Sequence, residues 1–285
     1  MVQPIRIAYQ GEPGAFSEEA VLAYFGEDAD STAVPTWRAV FEAVHRDRAE
    51  AGVVAIESSA GGSVRETYDL LGEYFDHGVR IVGEVSVPVR LVLVALPGQS
   101  VDEMERIYSH TQALAQADEF LRGRPWQVMT TYNTAGAARM IAEGGERRAG
   151  AIASPRVADL YGLEVLAENV QTGNDNRTRF AVIALQGGSV GVRSQPPNGP
   201  MKTTLVFAVR NVPGSLHRCL GAFAARDVNL SRLESRPSRA TRWEYVFWVD
   251  LDADAADPVC AAAIADLRAE AQMVRVLGSY PRGED

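Results

Sequence analysis

The stretch GVVAIESSAGGSVRETYDLLGEY, residues 52–74, carries the pattern that decides the fold. Its opening apolar run predicts a buried strand over residues 52–57. Ser63, with Glu66 three residues later, has the spacing of a capping box and predicts a helix over residues 63–74. A strand, a polar turn and a helix in this order form one unit of an α/β sheet.

The same alternation recurs on both sides of this stretch up to about residue 186. Further strands are predicted at residues 5–10, 80–96 with a break at Pro88, 106–110, 127–132, 149–153, 164–170 and 179–185, and helices at 17–25, 37–48, 111–121, 134–142 and 155–160. In the last unit Ser154 is expected to cap the helix and Pro155 to take its first position. The pattern predicts a two-lobed α/β domain with mainly parallel sheets, whose ligand binds beyond the carboxyl ends of the strands.

A segment rich in Gly and Pro, QGGSVGVRSQPPNGP, separates this region from the rest of the chain. We expect a first domain of residues 1–186, a linker of residues 187–200 and a second domain of residues 201–285. The second domain has the order βαββαβ, which is typical of a ferredoxin-like fold. Its open sheet edge favours pairing with a second copy, so a homodimer or homotetramer is expected.

The composition of the chain limits which kinds of partner and cofactor are expected. The chain of 285 residues has a net charge of −9, which argues against a nucleic-acid partner because phosphate backbones require a basic face. It lacks an apolar run long enough to span a bilayer and begins without a signal-peptide pattern, so we expect no membrane partner and a cytoplasmic location. The four histidines and two cysteines have no metal-ligand spacing, so no metal or other cofactor is expected.

Polar residues follow the strand at residues 52–57. Glu57, Ser58, Ser59, Gly62 and Ser63 offer a carboxylate, hydroxyls and a flexible backbone at the start of a helix, where an anion can bind. The plainer interpretation is that Ser63 only caps the helix and the glycines only form the turn.

Three more segments also place polar residues next to the end of a predicted strand or the start of a predicted helix or strand. His110 and Gln112 come directly after a strand, and Thr134 begins a predicted helix. The polar run of residues 174–180 holds two arginines that could bind a dicarboxylate. From the residues alone, the prediction is a site for an anionic metabolite in an α/β cleft.

These segments resemble the prephenate dehydratase family. IAYQGEPGAFS at residues 7–17 looks like the opening segment of the family, and AIESS followed by GSV resembles its P-I-E-N-S and G-S-V motifs. SHTQAL at 109–114 is similar to S-H-P-Q-A-L, and NRTRF at 176–180 to N-x-T-R-F. NVPGSL at 211–216 and ESRP at 234–237 resemble the two motifs of an ACT regulatory domain. Ser58 and Thr111 depart from the usual Asn and Pro, which leaves the substrate preference open.

The resemblance implies a catalytic domain like a type II periplasmic binding protein. It also implies a cofactor-free reaction, in which prephenate loses water and carbon dioxide and becomes phenylpyruvate. Thr178 would act at the leaving hydroxyl, and Glu57 would serve if an ionisable acid is needed. Arg179 would anchor a carboxylate. The other substrate-binding residues would be Ser58, Ser59, Gly62, Ser63, His110, Gln112, Thr134, Asn176 and Phe180.

For the second domain the resemblance implies feedback control by L-phenylalanine, bound between subunits. The effector-binding residues would be Asn211, Pro213, Gly214, Ser215, Leu216, Glu234, Ser235 and Arg236. Two alternatives stay open: arogenate as the substrate, or a two-lobed metabolite receptor without catalysis, which would not need a group such as Thr178 at the leaving hydroxyl.

Overall fold

The computed structural model describes residues 5–173, 175–187, 199–237 and 245–283. The predicted linker therefore lies largely outside the described residues. The chain forms two α/β lobes with a cleft between them, followed by a C-terminal α/β domain.

The first lobe begins the chain. Its elements are β1 Arg6–Gln10, α1 Phe16–Phe25, β2 Asp30–Val34, α2 Trp37–His45, β3 Ala51–Ser58, β4 Gly62–Ser63, α3 Arg65–Tyr74 and β5 Val79–Pro88. Its helices pack on both faces of the sheet, because nearly all of β3 is buried and needs an apolar neighbour on each side.

The second lobe is inserted into the first. It contains β6 Val92–Ala95, β7 Arg106–Ser109, α4 Thr111–Gln116, α5 Asp118–Leu121, β8 Gln127–Thr130, α6 Thr134–Gly144, β9 Ala149–Ala153, α7 Arg156–Tyr161 and β10 Glu164–Ala167. The chain then returns to the first lobe through β11 Arg177–Leu185, which lies between β3 and β5. The outgoing and returning segments run side by side: the Val170 N–H donates to the Leu91 carbonyl (2.9 Å), and the Val89 N–H donates to the Asn176 carbonyl (2.7 Å).

The prediction of two α/β lobes with mainly parallel sheets is confirmed, and along the main path of each sheet one strand runs against the others. The first sheet has the order β2-β1-β3-β11-β5, in which β11 is antiparallel to both neighbours. The second has the order β10-β6-β9-β7-β8, in which β6 is antiparallel to both neighbours. The reversed strands, β6 and β11, are the first strand after each crossing between the lobes, and the alternation of elements along the chain does not reveal their direction.

The C-terminal domain has the predicted βαββαβ order. Its elements are β12 Met201–Ala208, α8 Ser215–Ala224, β13 Leu230–Pro237, β14 Tyr245–Leu251, α9 Pro258–Glu270 and β15 Met273–Pro281. The sheet, in the order β13-β14-β12-β15, is covered on one face by the two helices. Cys219 of α8 and Cys260 of α9 are free and buried in the core between these helices and the sheet.

The opposite face of this C-terminal sheet packs on the first lobe. Val206, Trp248 and Leu277 belong to the same apolar cluster as residues of α2, α3 and β5. The rings of Trp248 and Tyr68 contact each other edge-on, with their centroids 4.9 Å apart. The contact is therefore a continuous apolar core and not a loose association.

Two predicted helix caps are wrong. The helix after β4 begins at Arg65, and the Ser63 hydroxyl instead donates to the Glu234 carboxylate (2.5 Å) of the C-terminal domain. The Ser154 hydroxyl donates to the Gly14 carbonyl (2.6 Å) of the other lobe. In both cases the serine hydroxyl that would cap the helix bonds instead to a residue that is distant in the sequence. Within the described residues no helix is long and apolar enough to cross a membrane.

Candidate active site

The cleft between the lobes encloses a cavity of about 380 Å³. The first lobe contributes the ends of β1 and β3 and the start of the antiparallel β11, and the second contributes the starts of α4 and α6. The volume suits a small metabolite, and the location is the one expected from the strand ends.

Thr178 and Ser58 form the floor of this cavity. The two residues pair across β11 and β3 and therefore point to the same side of the sheet. Ser58 is buried, and its Oγ accepts a hydrogen bond from the Gly61 N–H (3.3 Å). Two hydroxyl groups thus lie together where the sheet meets the cleft.

His110 and Gln112 enter the cavity from the second lobe. His110 is the N-cap of α4, and its Nδ1 accepts from the Gln112 N–H at 3.3 Å. This bond assigns the ring hydrogen of the neutral imidazole to Nε2, which can then donate to a ligand.

Thr134 lies beside them at the first position of α6. Asn133 caps this helix of 11 residues, and its Oδ1 accepts from the Gly136 N–H at 2.6 Å. Helix N-termini carry a partial positive charge, so α6 favours a carboxylate in the cavity.

The polar lining of the cavity carries no carboxylate and no Lys or Arg among the described residues. Its polar members are Gln10, Ser17, Ser58, His110, Gln112, Gln116, Tyr132, Asn133, Thr134 and Thr178. Trp37, Phe16 and Leu91 supply apolar walls. An anion in this cleft would be held by neutral donors and by His110.

Several of these residues were not predicted from the sequence. Gln10 ends β1, so the strand-end rule that selected Ser58 also applies to it. Gln116 lies one helical turn beyond Gln112 on α4. Tyr132 reaches across to the first lobe, where its hydroxyl donates to Glu12 at 3.0 Å, and no sequence pattern signals that contact.

The structure does not bring Glu57 and Arg179 together with Thr178. They point to the opposite face of the sheet, where with Ser59 they line a different cavity, which we call the rear cavity. Side chains alternate along a strand, so the neighbours of Thr178 and Ser58 face away from the cleft. The structure therefore divides these predicted site residues between the two faces of the sheet.

The remaining predicted substrate residues are also dispersed. Phe180 is buried in the core of the first lobe. Asn176 is buried beside Ser59, whose hydroxyl lies 3.2 Å from its Oδ1. Gly62 and Ser63 form β4, which turns toward the C-terminal domain.

Arg179 instead joins the two domains. Its guanidinium lies 2.5 Å from Glu57 and 3.3 Å from Asp250, a residue of the C-terminal sheet. Burial opposes the charge, but Asp250, Glu84 and Glu57 hold the pKa of Arg179 above its ordinary value. Arg179 therefore remains a cation that bridges acids of both domains.

Comparison with known proteins identifies the family. Residues 7–187 match the family described as prephenate dehydratase, and residues 203–268 match the ACT domain. The chain belongs to the prephenate dehydratase family. The Aquifex aeolicus bifunctional chorismate mutase/prephenate dehydratase is 38% identical over 98% of this chain and 74% of its own length. Arogenate dehydratase/prephenate dehydratase 1 of Arabidopsis thaliana is 36% identical over 97% of this chain and 72% of its own length.

Two solved structures are similar to this chain over nearly its whole length. The Arthrobacter aurescens prephenate dehydratase in complex with L-Phe has a TM-score of 0.84 at 33% identity, covering 98% of this chain and 90% of that one. GqqA, named as a novel type of quorum quenching acylase, has a TM-score of 0.85 at 33% identity, covering 97% and 98%.

The ACT domain has a cavity of its own, of about 290 Å³. Asn211, Gly214, Ser215 and Leu216 line it at the start of α8. Pro213 lies beside it in the same turn, and its carbonyl accepts from Arg218. Ser235 is exposed on the neighbouring strand, where it pairs with Phe247 of the cavity wall.

Glu234 and Arg236 point away from this ACT cavity toward the first lobe. Glu234 meets Ser63, and Arg236 donates to the Arg65 carbonyl (3.0 Å) and lies 3.1 Å from the Asp69 carboxylate. The ESRP strand therefore touches the first lobe directly.

Proposed function

We propose that this chain is a prephenate dehydratase that forms phenylpyruvate, water and carbon dioxide in the biosynthesis of L-phenylalanine. In this proposal residues 1–186 form the catalytic domain and residues 201–285 form the ACT domain, which L-phenylalanine controls. The observation that carries the proposal is the cleft. A chain of this family presents Thr178 there among neutral donors, in a cavity of metabolite size.

The reaction needs little chemistry from the protein. The ring carboxylate of prephenate leaves as carbon dioxide, and the electron pair of the broken carbon–carbon bond enters the ring. The hydroxyl across the ring leaves and takes up one proton to become water. Because the product ring is aromatic, holding the two carboxylates and assisting that one proton transfer account for the catalytic demand.

We assign Thr178 to the leaving hydroxyl. A threonine is a weak acid, so it donates a hydrogen bond or relays a proton rather than acting as the source. His110 lines the same cavity, and its Nε2–H can donate a hydrogen bond to the leaving hydroxyl, while the proton itself is taken up from solvent water. Glu57 lies behind the sheet, and we give it no step in the cleft.

The charge of the lining favours prephenate over arogenate. Arogenate carries an ammonium group where prephenate has a ketone, and a buried ammonium needs a carboxylate partner. The described cleft lining offers none. The relatives include proteins named for either substrate, so this difference in charge is what supports the choice.

L-Phenylalanine would bind the ACT domain at the cavity beside Asn211–Leu216, completed by a second copy of the chain in a homodimer or homotetramer. The start of α8 suits the amino-acid carboxylate. The related Arthrobacter aurescens structure, at 33% identity, is a complex with L-Phe, which supports this effector.

The decisive experiment measures phenylpyruvate formation from prephenate by the purified, chelator-treated chain, with and without L-phenylalanine. Arogenate turnover is measured in parallel. We expect turnover of prephenate, suppressed by L-phenylalanine, and at least tenfold less turnover of arogenate. Binding of either compound without turnover would support a metabolite receptor instead, and preferred turnover of arogenate would overturn the assignment of the substrate.

A further inference from the structure

The rear cavity encloses about 540 Å³ between the catalytic domain and the ACT domain. It lies on the far side of β3 and β11 from the cleft. Arg177 and Ser59 line it from the catalytic domain, and Arg232 and Arg282 from the ACT domain. Neither the proposed reaction nor the proposed phenylalanine site uses this space.

Cations dominate its wall. Five of the ten lining side chains are Lys or Arg and two are acids, although the whole chain has a net charge of −9. Acidic residues neutralise part of this positive charge: the Nζ of Lys202 lies 2.6 Å from a carboxylate oxygen of buried Glu84. Arg232 is held by Glu234 at 2.5 Å.

Arg177 differs from the other four cations. Its Nε and Nη2 donate to the Oγ and the carbonyl of Ser86, at 3.0 and 3.1 Å. In the described part of the chain no carboxylate lies within salt-bridge distance of it. Ser86 fixes one edge of the guanidinium and leaves the outer edge, made of Nη1 and the second hydrogen of Nη2, for another acceptor. A fixed fork of donors at a cavity wall is the arrangement that recognises carboxylates and phosphates.

We propose that the rear cavity binds a small multivalent oxyanion, a polycarboxylate or a phosphorylated metabolite, with Arg177 as its principal anchor. Arg232 and Arg282 approach the same anion from the ACT domain, and the hydroxyls of Ser59 and Ser231 line the space between them. A ligand there bridges the two domains directly behind the strand of Thr178. It occupies neither the cleft nor the cavity beside α8.

The test is calorimetric titration of the full chain at low ionic strength with citrate and, separately, with inorganic pyrophosphate. We expect saturable binding of at least one of them, with one ligand per chain. Arg177→Gln should weaken it about tenfold or more, because the bidentate pair is lost. Arg124→Gln is the matched control: this arginine is also without an ion pair in the described residues, but it lies on the second lobe, and the variant should bind like the parent chain.

Binding in the cleft is distinguished by a third variant. Gln112→Ala should leave the affinity unchanged, since Gln112 lines only the cleft among these cavities. If circular dichroism shows that Arg177→Gln is misfolded, Arg282→Gln tests the same cavity from the ACT domain.

Absence of saturable binding by both anions overturns the proposal. The proposal is also overturned if the folded Arg177→Gln or Arg282→Gln variant binds the anion as tightly as the parent chain. It is overturned as well if only Gln112→Ala loses binding of the anion. Tighter citrate binding identifies a polycarboxylate ligand, and tighter pyrophosphate binding a phosphorylated one. Because turnover is not measured, the result is independent of the proposed reaction.

Discussion

Thr178 and Arg179 are adjacent in sequence but serve different surfaces of the molecule. Thr178 faces the cleft, and Arg179 faces the ACT domain. The sequence identified the polar run that contains them, but it did not assign each side chain to a face. That assignment depends on which strands flank β11 and on the bulge between Arg179 and Phe180, which are tertiary properties.

Substitutions of Thr178 test the role of its hydroxyl. Thr178→Val keeps the shape but removes the donor, so we expect kcat for prephenate to fall about 100-fold or more. Thr178→Ser keeps the hydroxyl donor, so its kcat for prephenate should stay within about tenfold of that of the parent chain. Steady-state kinetics decide the matter, and loss of activity in the Ser variant would contradict a role that needs only the hydroxyl.

Glu19 predicts a dependence of stability on pH. Burial raises its pKa to about 7, even though Ser154 and Arg156 act in the opposite direction. The folded state favours the neutral carboxyl, so the stability it contributes is complete below about pH 4.5 and is lost as the pH rises through 7. Glu19→Gln should therefore match the parent chain near pH 4.5 and exceed it by about 2–3 kcal/mol above pH 8.

Urea unfolding at several pH values measures this difference. Glu27→Gln, an exposed position just after the same helix, is the control and should show no such trend. If the free energies of unfolding of Glu19→Gln and the parent chain differ by the same amount at every pH, the raised pKa of Glu19 does not explain the difference.

At the scale of elements, local patterns predicted most strands and helices but missed the edge strand β2, and tertiary contacts changed some of the predicted ends. Ser63 has the spacing of a capping residue, but Glu234, 171 residues further along the chain, takes its hydroxyl. Short β4 therefore replaces the first turn of the predicted helix. No local rule could detect this, because the competing partner belongs to another domain.

The close packing of β15 on β5 gives a prediction for the domain contact. A Cβ at Gly278 would overlap the Ile81 carbonyl oxygen, and a backbone atom cannot move aside as a side chain can. Gly278→Ala should therefore lower the free energy of unfolding by about 1–3 kcal/mol. Gly221→Ala on α8 has open space around it and should be neutral or stabilising by up to about 1 kcal/mol. Equal effects of the two substitutions on denaturant unfolding would show that the packing is looser than described.

At the scale of the whole molecule, the ACT domain reaches the catalytic domain through the strand that bears its ESRP motif. Arg236 pairs with Asp69 of α3, and Arg232 and Glu234 hold Ser63 next to the segment that forms the cleft floor. A change in β13 on binding an effector would thus be felt at β3 and α3. The sequence predicted both domains and their order, but not this contact, because it joins residues of opposite charge that are far apart in the chain.

Asp69→Asn tests this path without altering the proposed effector cavity. Removal of the pair with Arg236 should raise the L-phenylalanine concentration for half inhibition about fivefold or more. Glu73→Gln is the matched control, since it lies one turn along the same helix and pairs with Arg38 inside the first lobe. Equal shifts in both variants, measured as inhibition curves at fixed prephenate, would show that the pair does not transmit the signal.

The return of the chain into the first lobe also has a consequence for the order of assembly during translation. All five strands of the second lobe precede β11, so that lobe can complete its sheet while the first still lacks the strand between β3 and β5. Residues 89–185 separate the end of β5 from the end of β11, and a ribosome needs roughly 5–20 s to add them. During that interval the inner edges of β3 and β5 are unpaired, and they are open to chaperones or to wrong partners. The lobe that is synthesised first is therefore the later of the two to be completed.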